Sequence, residues 1–290
     1  ISGVTNYIAL IKAELERLGH EVVVFTFGVP GETSQEINVL YSSGFRLRMG
    51  YSFGLKYSIE ARRRILEMDL IHIHHPFLTG QLILRAVEGN KPLVLTAHTR
   101  YDTFSEDYLP KGLSRLGMAA LRWYLPRFCR RMDRVICSSP ASVEGMRNSH
   151  VNQPLEIVPN GIDLKRWQNG IRNADWRNKM GKWPVQYLYT GRLAVEKDLP
   201  FLLNAFAALA ERNPDVGLAL AGGGPMEREL REQAKRLNLT TRIAFLGPVA
   251  YETMPEVVAS ADIFVMTSVK DTHPLTVIEA MAAGLPPVLV

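Results

Sequence analysis

Short apolar runs alternate along the chain with stretches whose apolar positions recur at helical spacing. Tyr7, Ile8, Leu10, Ile11, Leu15 and Leu18 predict an opening helix, and after Gly19-His20 the run 22–25 predicts a strand. Further strand-like runs at 70–73, 93–97, 134–137, 156–158, 186–189, 218–221, 243–246 and 263–266 are separated by helix-length segments. Strands apolar on both faces and joined through helices predict parallel sheets covered on both sides, an α/β doubly wound architecture. Polar residues and glycines at 168–170 and 181–184 flank a short polar helix and predict a boundary there. The expected organisation is two Rossmann-like domains, 1–170 and 171–290, facing a cleft. The chain opens at Ile1 on a loop and helix and stops within the apolar run 286–290, which predicts truncation at both ends.

Composition narrows the class. Hydrophobic residues make 47% of the chain and charged residues 22%, enough to bury a sizeable core and too apolar for disorder. With 22 Gly and 17 Pro, collagen-like and low-complexity readings are excluded. No apolar run approaches the roughly 18 residues that span a bilayer, and no signal-peptide order is present. Cys129 and Cys137 lack CxxC spacing and suit a reducing compartment, so a cytoplasmic location is expected. The net charge of +5 lies in the first half, where 22 Lys and Arg face 16 Asp and Glu through Arg172; beyond it 12 face 13. Clusters at Arg62–Arg63–Arg64 and at Arg122, Arg127, Arg130, Arg131 and Arg134 fit an anionic partner, membrane or nucleic acid, or simply a solvated helix face.

In doubly wound sheets ligands bind beyond the carboxyl ends of strands, so candidate chemistry is sought in the loops that follow them. Gly191-Arg192-Leu193, trailed by Glu196-Lys197, puts two cations on one strand-to-helix turn. Arg offers a bidentate fork and Lys a point charge, a pair able to hold a diphosphate; a salt bridge from Lys197 to Glu196 or Asp198 is the plain alternative. Gly222-Gly223-Gly224-Pro225 opens the helix 226–237, where glycine admits either a phosphate or tight packing. In the third loop, Asp271 lies before a helix starting near Pro274 and Glu279 about a turn inside it, with the backbone amides of Thr276 and its neighbours between them. Both carboxylates could face one ligand, or merely favour a helix start. In the first half, 93–97 ends in His98-Thr99-Arg100-Tyr101-Asp102, where a histidine at a strand end can orient a sugar or an acceptor hydroxyl. His72 and His74 would share one strand face and His75 the other, a poor arrangement for a metal, and no DxD sequence occurs.

Taken together, these residues resemble glycosyltransferase family four, retaining enzymes of the GT-B fold. Gly191 to Lys197 is similar to the family's GRLxxEK, Gly222 to Pro225 to its GxGP, and Asp271 to Glu279 with the tail Glu279-Ala280-Met281-Ala282-Ala283-Gly284 to its E-x7-E signature. The run 158–163 resembles the PNGID turn, and Ser2-Gly3-Val4 the amino-terminal GGV loop. The resemblance implies metal-independent, cofactor-free transfer of a hexose from a nucleoside-diphosphate sugar, with UDP-glucose as the expected donor. Arg192 and Lys197 would bind the diphosphate, approached by Gly3, with Gly222, Gly224, Pro274, Leu275 and Thr276 at the donor; Glu279 would hold the ribose. Asp271, where the family usually has Glu, would bind the donor sugar, and His98 would be the active-site histidine. The catalytic set implied is His98, Asp271, Arg192 and Lys197.

The acceptor is expected to be a membrane lipid such as diacylglycerol. The run 98–102 and the stretch from Leu113 to Arg134, where apolar and aromatic residues interleave with arginines, together resemble members acting on diacylglycerol at a membrane surface. Arg100, Tyr101, Trp123, Arg127, Arg130 and Arg131 are the candidate acceptor and membrane residues, on the inner face of the plasma membrane. A core helix with a basic outer face, broken at Pro126, fits the same residues. A soluble acceptor, a sugar-nucleotide epimerase and a catalytically dead sugar-nucleotide-binding module are the alternatives. Nucleic acid is the least favoured partner, because no reader motif accompanies the basic clusters.

Overall fold

The predicted alternation of strand and helix is present in both halves of the computed structural model, which describes residues 3–28, 38–46, 52–87, 89, 91–103 and 111–290. The chain divides into two units, one ending at Asn160 and the other beginning at Gly161. The division falls ahead of the predicted stretch for a packing reason. Helix α6 (Leu164–Gln168) buries Trp167 completely, and α7 (Ala174–Met180) buries Met180, both in one cluster with Val257, Val258 and Phe264. Arg177 then donates to Asp262 at 2.6 Å and to the carbonyls of Ser260, Trp183 and Pro184. The short polar helix is therefore part of the second unit, within the expected 171–290 domain.

In the first unit α1 (Gly3–Arg17) leads to β1 (Val24–Gly28), two residues later than the apolar run suggests. Its partner β2 (Val39–Ser43) lies parallel to it, in a segment too polar to have been read as a strand. A short antiparallel pair follows, β3 (Phe45–Arg46) and β4 (Ser52–Phe53). After α2 (Ile59–Glu67), four parallel strands pair in chain order: β5 (Ile71–Ile73), β6 (Leu93–Ala97), β7 (Arg134–Cys137) and β8 (Glu156–Ile157). Between them run α3 (Leu78–Val87), α4 (Lys111–Cys129) and α5 (Pro140–Asn148). Residues 1 and 2, including the Ser2 of the amino-terminal motif, lie outside the described residues, and Gly3 opens α1.

The second unit is one five-stranded parallel sheet of β9 (Val185–Thr190), β10 (Val216–Ala221), β11 (Ile243–Gly247), β12 (Ile263–Met266) and β13 (Pro287–Leu289), in the order β11-β10-β9-β12-β13. All six residues of β10 are buried. Val216, Leu218 and Leu220 enter one core cluster, and Ala219 and Ala221 enter the cluster on the opposite face. That is the apolar-on-both-faces pattern of a covered parallel strand. Helices α8 (Leu199–Arg212), α9 (Glu227–Arg236), α10 (Met254–Ala259) and α11 (Leu275–Ala282) complete the layers. Chain order reverses between β9 and β12, which makes their carboxyl ends the sheet's switch point. Pairing between these strands stops at Leu188 and Phe264, two residues short of either end, so the strands part where their loops begin.

Candidate active site

The loops after β9 and β12 are joined by hydrogen bonds across this switch point. The Thr267 hydroxyl lies 2.9 Å from the Lys197 carbonyl and 3.1 Å from that of Asp198. Ser268 donates to the Glu196 carbonyl at 3.0 Å, and the Tyr189 hydroxyl to the Arg192 carbonyl at 2.9 Å. Asp198 takes a left-handed conformation (φ 47°), turning the chain from the 3₁₀ turn Val195–Lys197 into α8. The basic turn is thus fixed by backbone contacts that leave its side chains available for chemistry.

The cations of this turn are paired. Lys197 Nζ donates to both carboxylate oxygens of Asp271 at 2.7 Å, and Arg192 donates to Glu196 at 2.5 Å. Lys197 therefore does have a carboxylate partner, but it is Asp271 on the facing loop, 74 residues away, and neither Glu196 nor Asp198. Asp271, expected to face a sugar, reaches across to the lysine with both oxygens. A half-buried bidentate pair of this kind holds the β12 loop against the β9 loop.

The glycines after β10 serve the same packing. A Cβ on Gly222, whose φ is 150°, would stand 1.8 Å from the Gly191 carbonyl oxygen, and one on Gly224 would stand 2.3 Å from that of Leu193. The approach is cemented by Gly191 N–H to Ala221 O and Leu193 N–H to Gly223 O, each 3.0 Å. Of the two readings open for this loop, close packing against the Arg192 turn accounts for both glycines.

Glu279, on α11, is buried. It accepts a hydrogen bond from the Tyr251 hydroxyl at 3.1 Å, and burial pushes its carboxyl up to about 7 against the opposing pull of Tyr251 and Arg166. Arg166 lies over the Tyr251 ring, 4.3 Å from its centre, and donates to the Tyr251 carbonyl at 2.9 Å. Pro274 at the amino end of α11 supplies no side-chain cap, and no acidic residue occupies the first turn.

In the first unit His98 follows β6 and stands in a cluster of aromatic rings. His74 Nδ1 lies 3.0 Å from His98 Nε2, and His72 Nε2 lies 2.7 Å from Thr96 Oγ1. The His72 and His74 rings are 4.2 Å apart, and Tyr7 meets His98 edge-on at 4.9 Å. Burial pushes His72 and His98 down to about 4, and burial with three neighbouring imidazoles takes His74 to about 2. The rings are therefore neutral, and one donates to the other, a pairing open to neutral imidazoles. His75 is exposed, beside Phe77. Among the described residues no three His, Cys, Asp or Glu side chains are arranged to hold a metal ion.

The tentative acceptor residues divide. Tyr101 must be corrected: it is only 2% exposed, packed edge-on against Phe77 in the core, and has no surface to offer a membrane. Arg100 pairs bidentately with Asp102 at 2.9 and 2.8 Å. On α4, Trp123 is 61% exposed with the Arg127 guanidinium 4.3 Å above its ring, and Arg130 and Arg131 are exposed just beyond the helix. Leu125, Phe128 and Cys129 face the core, and the helix passes through Pro126 unbroken to Cys129. The residues missed by sequence reasoning are Tyr7, His74, Thr267, Ser268, Tyr251 and Arg166. Only His74 carried a signal, its place in the histidine run; the others are ordinary residues whose partners are distant in sequence.

Residues 1–166 match the glycosyltransferase family 4 model, and residues 172–290 match that of the glycosyl transferases group 1. The chain belongs to glycosyltransferase family 4. Alpha-monoglucosyldiacylglycerol synthase of Streptococcus pneumoniae is 28% identical over 99% of this chain and 67% of its own length. Among solved structures, sucrose-phosphate synthase of Thermosynechococcus elongatus matches with a TM-score of 0.76 at 20% identity, covering 99% of this chain and 75% of that one. Anabaena HepE, solved with UDP and glucose, matches with a TM-score of 0.62 at 21% identity over 79% of this chain and 61% of its own. These likenesses identify the fold as GT-B, the glycosyltransferase fold built from two Rossmann-like domains. In this family 4 chain both sheets carry their candidate chemistry at strand carboxyl ends, as the doubly wound arrangement requires.

Proposed function

We propose that the protein transfers glucose from UDP-glucose to a membrane lipid, diacylglycerol being the leading acceptor, with retention of the anomeric configuration and without a metal ion. The observation that carries this reading is the pair of cations, Arg192 and Lys197, on a rigidly tied loop at the switch point of the second sheet. Donor diphosphate competes with Glu196 and Asp271 for these cations. The amides of Leu275 and Thr276 at the amino end of α11 are assigned to phosphate oxygens, and Glu279 to the ribose hydroxyls. In the reaction the bond between the anomeric carbon and the diphosphate oxygen breaks and a bond from the acceptor oxygen forms on the same face. The acceptor proton passes to the departing diphosphate. Charge growing on that diphosphate is met by Arg192 and Lys197, which supply the counter-charge a metal provides elsewhere. Asp271 then has two tasks, holding Lys197 in the donor-free protein and meeting the sugar once phosphate has taken the lysine. His98, neutral and fixed by His74, is assigned to hydroxyls of the transferred sugar or acceptor.

The lipid acceptor draws support from α4, whose outer side presents Leu116 and Trp123 among Arg115, Arg122 and Arg127, and from the diacylglycerol in the name of the pneumococcal relative. The test is nucleoside diphosphate release by the complete protein from UDP-glucose, and in parallel from GDP-mannose, with and without anionic liposomes containing diacylglycerol. Release from UDP-glucose that requires the liposomes is expected. Equal release without them would assign a soluble acceptor, the class suggested by the likeness to sucrose-phosphate synthase.

A further inference from the structure

Two cavities lie against α2 in the first unit, and their charge lining differs. One, of about 350 Å³, is bounded by Glu60, Arg63, Arg64 and Glu67 together with Asn38 and the β1–β2 edge. Its cations are already matched: Arg64 pairs with Glu21 and with Glu67, and Arg63 with Glu67 at 3.3 Å. The other, of about 170 Å³, is lined by Lys56, Tyr57, Arg62, Leu82, Arg85 and Ala86. Among the described residues it is lined by three cations and no carboxylate, and none of the three cations is in an ion pair.

This second cavity is built on a rigid base. Tyr57 is buried and stacks on Phe27 at 4.9 Å, and Ser58 caps α2 by accepting from the Ala61 amide at 3.1 Å while its own amide donates to Ser42. The cap fixes where α2 starts, and so where Lys56 and Arg62 stand. Leu82 and Ala86, one turn apart on α3, supply an apolar wall with Arg85 beside it. Next to these residues in sequence, apolar side chains are left in solvent: Leu55 is 74% exposed, Ile59 89% and Leu66 52%. Ile59, Arg62, Arg63 and Leu66 share one helix face by their spacing. Three cations with no ion-pair partner among the described residues favour an anion, and exposed apolar residues next to them in sequence favour a non-aqueous neighbour.

We propose that Lys56, Arg62 and Arg85 form a phosphate-binding pocket that takes the phosphoryl headgroup of an anionic membrane lipid, with Leu55 and Ile59 entering the interface beside it. The inference rests on the membrane reading of the preceding section and adds to it a second, headgroup-binding contact separate from α4. Each cation near an anionic surface contributes roughly five-fold in affinity, so the three together account for about 100-fold.

The test compares the complete wild-type protein with K56Q/R62Q/R85Q and with K182Q/R212Q/R228Q, which removes the same charge at exposed positions of the second unit. Binding is measured by co-sedimentation with phosphatidylcholine vesicles with and without phosphatidylglycerol, and inorganic phosphate is titrated separately by thermal shift. Expected is a loss on the order of 100-fold on phosphatidylglycerol vesicles for the pocket variant, under about three-fold for the control, and about five-fold for Arg85→Gln alone. The phosphate-induced shift in melting temperature should vanish in the pocket variant only. Equal losses in both triple variants would reduce the effect to net charge and overturn the pocket, as would wild-type binding by the pocket variant. A pocket-dependent phosphate shift in a wild-type protein that ignores the vesicles would overturn the lipid source and, with it, the membrane reading. Vesicle binding that persists in the pocket variant and is lost on removing Trp123 and Arg127 would leave the membrane reading intact and sink the pocket alone.

Discussion

The two candidate centres of this chain solve the problem of polar groups at a strand end in opposite ways. Around His98 every titratable ring is neutral, held by ring contacts and by hydrogen bonds to Thr96 and between imidazoles. Around Lys197 the groups are charged and cancel in pairs, Arg192 with Glu196 and Lys197 with Asp271. A neutral cluster tolerates burial without a counter-ion and suits hydroxyls. A compensated charge cluster is stable alone and can exchange one anion for another, which suits a substrate that arrives as a diphosphate and leaves as a more highly charged one.

The comparison breaks most readily at Lys197. Lys197→Ala should lower turnover on the order of 100-fold while KM changes by a few-fold, because the lysine meets charge that grows in the transition state. Raised KM with wild-type turnover in diphosphate-release assays would reduce the residue to ground-state binding. Next in size is the buried acid. Glu279 has a folded value of about 7 against an ordinary 4.5, so the folded protein holds its proton more tightly and stability is lost as pH rises through that interval. Against Glu279→Gln, the wild type should give up on the order of 3 kcal/mol between about pH 4.5 and 7 and none beyond, as followed by thermal denaturation. A difference that stays constant with pH would show that the carboxyl is not held protonated.

Smaller effects sharpen the neutral side. His74→Ala should cost about ten-fold in turnover by releasing His98, and His74→Asn should recover part of it by restoring a hydrogen-bonding partner. Because His98 is already neutral, replacing it with Asn should leave the shape of the pH–rate profile between about pH 5 and 8 unchanged; loss of a limb there would mean that the imidazole titrates in catalysis. The smallest effect expected is the coupling between Lys197 and Asp271 in donor-free stability, about 1 kcal/mol by a double-mutant cycle, since the pair is only half buried. Saturating donor should abolish that coupling, because phosphate then occupies the lysine.

Much of this was legible along the chain. The runs at 93–97, 134–137 and 263–266 coincide with β6, β7 and β12, because strands covered on both faces are apolar at most positions. β2 was not legible, since its Leu40-Tyr41-Ser42-Ser43 lacks that pattern and its pairing with β1 is what makes it a strand. The loops carrying Arg192, Gly222, Asp271 and Glu279 stood out by residue type and position after strands. The same reading placed Tyr101 at a membrane surface by the resemblance of the run 98–102 to lipid-glycosylating members, whereas packing against Phe77 draws the ring inward.

The sequence by itself determined the α/β class, the parallel sheets and the loops in which charged residues gather, because periodicity and strand-end position are local properties. Only the tertiary structure decided which charge meets which. Lys197 finds Asp271 because β9 and β12 lie side by side at the switch point, and the Glu279 carboxyl is pushed up to about 7 because packing buries it, against the opposing pull of Tyr251 and Arg166. Lys56, Arg62 and Arg85 converge because α2 packs against α3. Such pairings depend on distances in space, and distances between residues tens of positions apart are set by the packing of the sheets and not by any local pattern.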